Sequence, residues 1–210
     1  MNTYKKIFGV IKKDEKYFYS HLFDEIEIKK VEKKKVQISI GGKYAKGIPN
    51  NEENSIFKAV QNFFETHHKK FGIEITITKN IPKGTGLQEE EQMIDCVVEF
   101  LHAQFSENYV SKYNAIIKSE NIEIILFPKY NITKNWIDEI TKNLLLPENI
   151  HKKENLFHFS PLFSLTENII FSYYPDIYLH YKNLIFLNKK NKNIFIGLVG
   201  KGSALYIIKN

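Results

Sequence analysis

Apolar and polar residues alternate at period two over Ile26–Ile28 and Val36–Ile40, as they do in half-buried strands, and Gly41-Gly42 ends the second run. Residues 1–40 are therefore expected to form strands. From Ser55 the spacing changes. Ile56, Phe57, Val60, Phe63 and Phe64 fall on one helical face, and Asn54 is suited to cap it, so a helix is predicted over 55–70 and stopped by Gly72. Ile73, Ile75 and Ile77 restore the alternation of a strand. Ile81–Leu87 carries a proline and two glycines, which keep it out of regular structure. A second amphipathic helix follows, with Met93, Ile94, Val97, Val98, Leu101 and Phe105 on its apolar face.

The second half mixes the two periods again. Ile122–Phe127 reads as a strand ended by Pro128, and Thr133 caps a predicted helix running to about Leu145. A polar loop to about Asn155 is followed by helical segments at Leu165–Tyr173 and Pro175–Leu187, the latter with proline at its start. Asn193–Val199 and Ala204–Ile208 read as strands flanking a Gly200-Lys201-Gly202 turn. Without a strict βαβ repeat the pattern predicts an α+β fold, divided near residue 120 into parts 1–118 and 119–210.

Composition narrows the class. The chain has 210 residues, of which 43% are hydrophobic, enough for a packed core and too many for wholesale disorder. No apolar run is long enough to span a bilayer, and Met1–Val10 lacks a secretory pattern, so a soluble, cytoplasmic protein without membrane partners is expected. The single cysteine, Cys96, excludes an intrachain disulfide and a thiolate zinc cage. The net charge of +6 comes from lysine alone, since there is no arginine. Lys29-Lys30, Lys33–Lys35 and Lys189-Lys190 lie among Glu or Asn beside strand ends and turns. Without guanidinium forks for guanine edges or phosphates, this charge argues against a specific nucleic-acid role.

The most specific segment is Ile81-Pro82-Lys83-Gly84-Thr85-Gly86-Leu87, set between a strand and a helix. Glycine turns entering a helix offer backbone N–H groups to phosphate. This segment resembles the start of the phosphate loop of the GHMP kinase superfamily. Other stretches resemble its diphosphocytidyl-methylerythritol kinase branch, which serves non-mevalonate isoprenoid biosynthesis. These are Asp14–Phe23, Ile48–Asn54 before the first helix, Ile124–Pro128 with Ile132-Thr133-Lys134, Tyr174–Ile177, and Leu198–Leu205 with its Gly200-Lys201-Gly202 motif. The resemblance runs colinearly through nearly the whole chain. It implies a two-part GHMP-kinase-like fold, with an N-terminal α/β domain at 1–118 and a smaller ferredoxin-like domain at 119–210.

The chemistry departs from that pattern. Where the family has Gly-Gly-Gly-Ser-Ser-Asp, this chain reads Gln88-Glu89-Glu90-Glu91-Gln92-Met93. Met93 stands at the family's catalytic-aspartate position and cannot accept a proton. Each glutamate about 5 Å from a phosphate would cost roughly 1–3 kcal/mol at effective dielectrics of about 80 to 20. The same glutamates have an ordinary role in stabilising a helix start, and an alternative one in holding Mg²⁺. Pro82, Gly84, Gly86, Leu87, Glu89, Glu90 and Glu91 thus form a degenerate ATP loop.

Asp14 and Tyr17 are candidates for the substrate segment, where Gly and His of the family pattern are lost. Lys6 matches the family's N-terminal active-site lysine. Asp95 is the one carboxylate near enough to replace the missing aspartate, two residues beyond it. Outside the resemblance, His67-His68 reads as a solvated helix end, Cys96 as core, and Trp136 and Phe157–Phe163 as core or interface. No spacing predicts a metal site. The expectation is a kinase homologue that has lost ATP binding and phosphoryl transfer, with no cofactor. The alternative is an active, divergent ATP- and Mg²⁺-dependent kinase of the same small-molecule alcohol.

Overall fold

The computed structural model describes residues 2–13, 16–68, 70–111, 113, 117–118, 122–127, 130, 132, 134–145, 165–188 and 194–209. The chain divides into two compact units, residues 1–81 with 88–118, and residues 82–87 with 119–210. The glycine-bearing segment therefore leaves the first unit and belongs to the second.

In the first unit, β1 (Asn2–Lys13) and β2 (Lys16–Val31) form a long antiparallel hairpin. Its register shifts between Phe8 and Val10. β4 (Gly72–Thr78) pairs antiparallel with the other edge of β2, and β3 (Val36–Gly41) runs parallel to β4, giving the order β1-β2-β4-β3. The short β5 (Ile117–Lys118) pairs with β2 at Phe18 and Tyr19. Period-two alternation puts Ile7, Ile26, Ile28, Ile38, Ile73, Ile75 and Ile77 into one core. Two helices share that core: α1 (Ser55–His67), through Ile56, Val60, Phe63 and Phe64, and α2 (Glu89–Ala103), through Met93, Cys96, Val97, Phe100 and Leu101. Ile75 is central and 1% exposed, so Ile75→Val is expected to cost about 0.5–1.5 kcal/mol in a urea melt.

The ends of α1 follow local chemistry. Asn54 accepts the backbone N–H of Ile56 at 2.8 Å, and the helix stops at His67 because His68 takes a left-handed conformation (φ 51°). Gly72 does not terminate it, contrary to expectation, but opens β4. A Cβ there would lie 1.8 Å from the Lys33 carbonyl oxygen, so glycine is required by the approach of the β3 entry turn. α1 and α2 run side by side in the same direction. Ser55 donates to Glu90 at 2.5 Å near their starts, and the rings of His67 and His102 are 5.6 Å apart at their ends.

The second unit contains an antiparallel sheet of order β6 (Ile122–Ile125), β8 (Leu205–Lys209), β7 (Ile194–Leu198). It also holds α3 (Lys134–Leu145), α4 (Leu165–Tyr173) and α5 (Pro175–Asn188). Phe127, Ile132, Ile137, Ile169, Ile170, Phe171, Ile177, Leu198 and Leu205 make its core, with Trp136 partly buried against it. The predicted Thr133 cap and the Phe157–Phe163 aromatics lie outside the described residues. The architecture is the expected α+β one, with an N-terminal α/β unit and a smaller antiparallel C-terminal sheet. No helix among the described residues is long and apolar enough to cross a membrane.

Candidate functional site

The segment Pro82–Leu87 and the turn after β7 are packed backbone to backbone within the second unit. Ser203 donates its backbone N–H to the Gly84 carbonyl at 2.9 Å, and Ala204 donates to that of Thr85 at 3.4 Å. The turn closes on itself through Gly202 N–H to the Val199 carbonyl at 3.0 Å, with Gly200 at φ 54°. A Cβ on Gly86 would lie 2.0 Å from the Val199 carbonyl oxygen, and one on Gly202 would lie 1.9 Å from the Thr85 carbonyl carbon. Gly86 and Gly202 are thus required by the close approach of the two segments, whatever either binds. Leu87 is fully buried, as is Thr85, whose hydroxyl is the buried side-chain oxygen without a hydrogen-bond partner among the described residues. Lys201 pairs with Asp138 of α3 at 2.5 Å in a half-exposed contact.

In the first unit, α2 begins at Glu89 after Gln88, a left-handed residue (φ 57°) whose side chain makes no capping hydrogen bond. The three glutamates take separate partners. Glu90 accepts from Ser55, and Glu91 accepts from the Tyr113 hydroxyl at 3.2 Å. Glu89 is buried and lies 3.4 Å from the Lys79 ammonium, which also donates to the fully buried Asp24. Asp24 further accepts the backbone N–H groups of Asn80 and Ile81 at 2.6 and 2.8 Å. Burial raises the Glu89 carboxyl above its ordinary range, against the pull of the Lys79 charge. The expected row of three glutamates at the helix start is therefore two exposed carboxylates and a third turned inward to form a buried ionic triad. Its position is local in origin: a helical first turn points its side chains in different directions.

A small polar cleft, also in the first unit, is lined by Lys5, Tyr19, Gln92, Asp95, Ser111 and Tyr113, among others. Asp95 is buried, and the hydroxyls of Tyr109 (at 2.6 Å) and Ser111 donate to its two oxygens. Gln92 donates to the Phe8 carbonyl at 2.8 Å. Lys6 borders this cleft, but its ammonium lies over the Phe23 ring, 4.3 Å from the centroid. The lysine facing α2 is Lys5, which bonds Glu99 at 2.5 Å. Burial pulls its pKa down, and the Glu99 hydrogen bond, with smaller contributions from Cys96, the Glu99 charge and Asp95, more than reverses this. Strand alternation is the reason: Thr3, Lys5 and buried Ile7 share a face, and Lys6 is on the other. The sequence carried this signal in Ile7.

Met93, placed by the resemblance at an aspartate position, is a core residue at 2% exposure. Cys96 is buried beneath the cleft, and burial pushes its thiol up to about 11, which suits packing and not nucleophilic attack. Asp14 lies outside the described residues. Tyr17 lies on β2 opposite Lys12.

His67 is not the solvated helix end that its sequence suggested. Its ring stacks on Phe63 with centroids 3.8 Å apart, and together with His102 and Glu107 it brings three metal-ligating atoms within 4.8 Å of one another. No spacing revealed this, because the two histidines meet only through the parallel packing of α1 on α2.

The fold of the chain is GHMP-kinase-like. A homoserine kinase from Cytophaga hutchinsonii superposes with a TM-score of 0.62 at 14% identity, covering 99% of this chain and 85% of that one. A 4-(cytidine 5'-diphospho)-2C-methyl-D-erythritol kinase superposes at 0.59 and 12% identity, covering 98% and 90%. In sequence, 87 residues are 32% identical to 4-diphosphocytidyl-2-C-methyl-D-erythritol kinase of Clostridium beijerinckii, spanning 41% of this chain and 30% of that protein. A further match, to the same enzyme of Clostridium botulinum, is 41% identical over 66 residues and spans 22% of it. No family model matches the chain. Fold and sequence together support a distant relation to the GHMP kinases.

Proposed function

We propose that the chain is a diverged homologue of 4-diphosphocytidyl-2-C-methyl-D-erythritol kinase that has lost conventional ATP binding and phosphoryl transfer, and that its fold now serves binding or interaction. The first turn of α2 carries this reading. A phosphate seat at a helix start needs accessible N–H groups without opposing charge. Here the turn consists of glutamates, with Glu90 and Glu91 exposed, and the chain has no glycine between Gly86 and Gly197. The core position of Met93 supports the same reading, since nothing there can take a proton from an alcohol. Calorimetric titration and thermal melting with Mg²⁺-ATP test it. No heat of binding and an unchanged Tm are expected at roughly 1 mM nucleotide, and a Kd below that concentration would sink it.

A second reading is favoured by Lys5 and Asp95 lining one cleft. In it, the chain is an active, divergent kinase that binds ATP and Mg²⁺ and uses Asp95 toward the substrate hydroxyl. Turnover of 4-diphosphocytidyl-2-C-methyl-D-erythritol that disappears in Asp95→Ala would establish it in place of the first.

A further inference from the structure

We propose that His67, His102 and Glu107 form a binding site for a divalent transition-metal ion of the zinc class, joining the C-terminal ends of α1 and α2. The inference is independent of the kinase reading, because these residues lie outside the glycine loop and the polar cleft. Glu107 Oε2 is 3.3 Å from His67 Nε2 and 2.6 Å from His102 Nδ1. Zinc–nitrogen and zinc–oxygen bonds of about 2.0–2.2 Å in a tetrahedron set neighbouring ligands roughly 3.3–3.5 Å apart. The first separation already has that length. The second is a hydrogen-bond length and opens by under about 1 Å when the half-exposed Glu107 side chain turns.

The tautomer of His67 gives the second argument. Its Nδ1 is 2.9 Å from the Phe63 carbonyl oxygen, which can only accept, so Nδ1 carries the proton. In the neutral ring, Nε2 then presents a lone pair to the Glu107 carboxylate oxygen. Two lone pairs at this distance call for a cation between them, and a backbone carbonyl behind the other ring nitrogen is how metal-binding histidines are usually oriented. Both rings are held in place: His67 stacks on Phe63 (3.8 Å, 15°), and His102 stacks on Tyr109 (5.1 Å, 13°). The C-terminal ends of two parallel helices add negative potential through their dipoles, favouring a cation. Two imidazoles and one carboxylate suit zinc, cobalt or nickel over magnesium or calcium, and leave a fourth position for water or a further ligand.

The test is titration of the full, EDTA-treated chain with Zn²⁺. One ion per chain is expected with a Kd of about 1 µM or tighter, and a Tm rise of about 5 °C at a hundredfold excess over Kd. Mg²⁺ should leave Tm unchanged, and Co²⁺ should give the visible d–d absorption of a four-coordinate site. Glu107→Gln, at an exposed position that does not threaten folding, and His102→Ala should each weaken Zn²⁺ binding by at least about tenfold, whereas His68→Ala should not. Failure to take up Zn²⁺ would overturn the proposal, as would uptake unaltered in both variants. So would ¹⁵N spectra showing His67 doubly protonated at neutral pH and insensitive to Zn²⁺, which would mark a plain imidazolium–carboxylate pair.

Discussion

Replacing Lys79 by alanine is expected to destabilise the first unit by about 3–5 kcal/mol, because it leaves two buried carboxylates without their shared cation. Asp24 is fully buried and Glu89 nearly so, and Lys79 is the ammonium between them. Chemical denaturation followed by circular dichroism at neutral pH would measure the loss. Lys79→Met, which restores the buried hydrocarbon but not the charge, should recover only part of it. The pH dependence has a defined sign. Burial raises the Glu89 pKa in the folded chain, so the native state binds that proton more tightly than the unfolded one. The stability this confers is complete below the unfolded value of 4.5 and is lost as pH rises through the raised folded value. Removing Lys79 raises the folded value further, so the gap between variant and parent should narrow as the solution is acidified. A gap that is the same at pH 5 and pH 8 would show that Glu89 is not part of the triad's energetics.

Gly202→Ala should be comparably costly in the second unit. The added methyl would sit 1.9 to 2.1 Å from three backbone atoms, Thr85 C and O and Gly86 N, and backbone cannot turn away as a side chain can. A loss of about 3 kcal/mol or more is expected, at the upper end of overpacking effects. Gly41→Ala is the control. Nothing lies within 4 Å of its added Cβ, and its φ is not positive, so a change within about 0.5 kcal/mol is expected. This experiment separates two meanings of a glycine motif. Were the glycine kept only so that a ligand could approach, Gly202→Ala would leave the melting transition of the ligand-free protein where it was.

The parts of the fold that were legible in the sequence are those set by local periodicity. The five apolar positions from Ile56 to Phe64 and the alternation of Ile73, Ile75 and Ile77 correspond directly to α1 and β4. The β1–β2 hairpin was less legible: its strands reach Lys13 and Val31 through stretches such as Tyr17–Tyr19 that have no clean alternation. Such extension depends on pairing across the sheet.

The candidate site was legible only as far as chain neighbours go. Glu89, Glu90 and Glu91 are adjacent in sequence, yet one is buried with Lys79 and Asp24, which are brought to it by strand register. Lys5 and Lys6 differ by a strand face, and the resemblance selected the one directed away from Asp95. His67 and His102 needed the packing of two helices before they could be seen as one cluster. Residue type and spacing cannot carry that information across long loops.

The excursion of residues 82–87 into the second unit has a consequence for how the protein is made. These residues leave the ribosome well before Val199–Ala204, the strand-turn backbone against which they close. Until that partner has been synthesised, the carbonyls of Gly84 and Thr85 lack the Ser203 and Ala204 backbone donors that they have in the folded unit. The second unit is therefore expected to reach its native state only once residues 199–204 have emerged, through a late, high-contact-order docking step. Residues 119–210 expressed without 82–87 should lack the piece that completes their fold, and adding that hexapeptide in trans is the natural complementation assay.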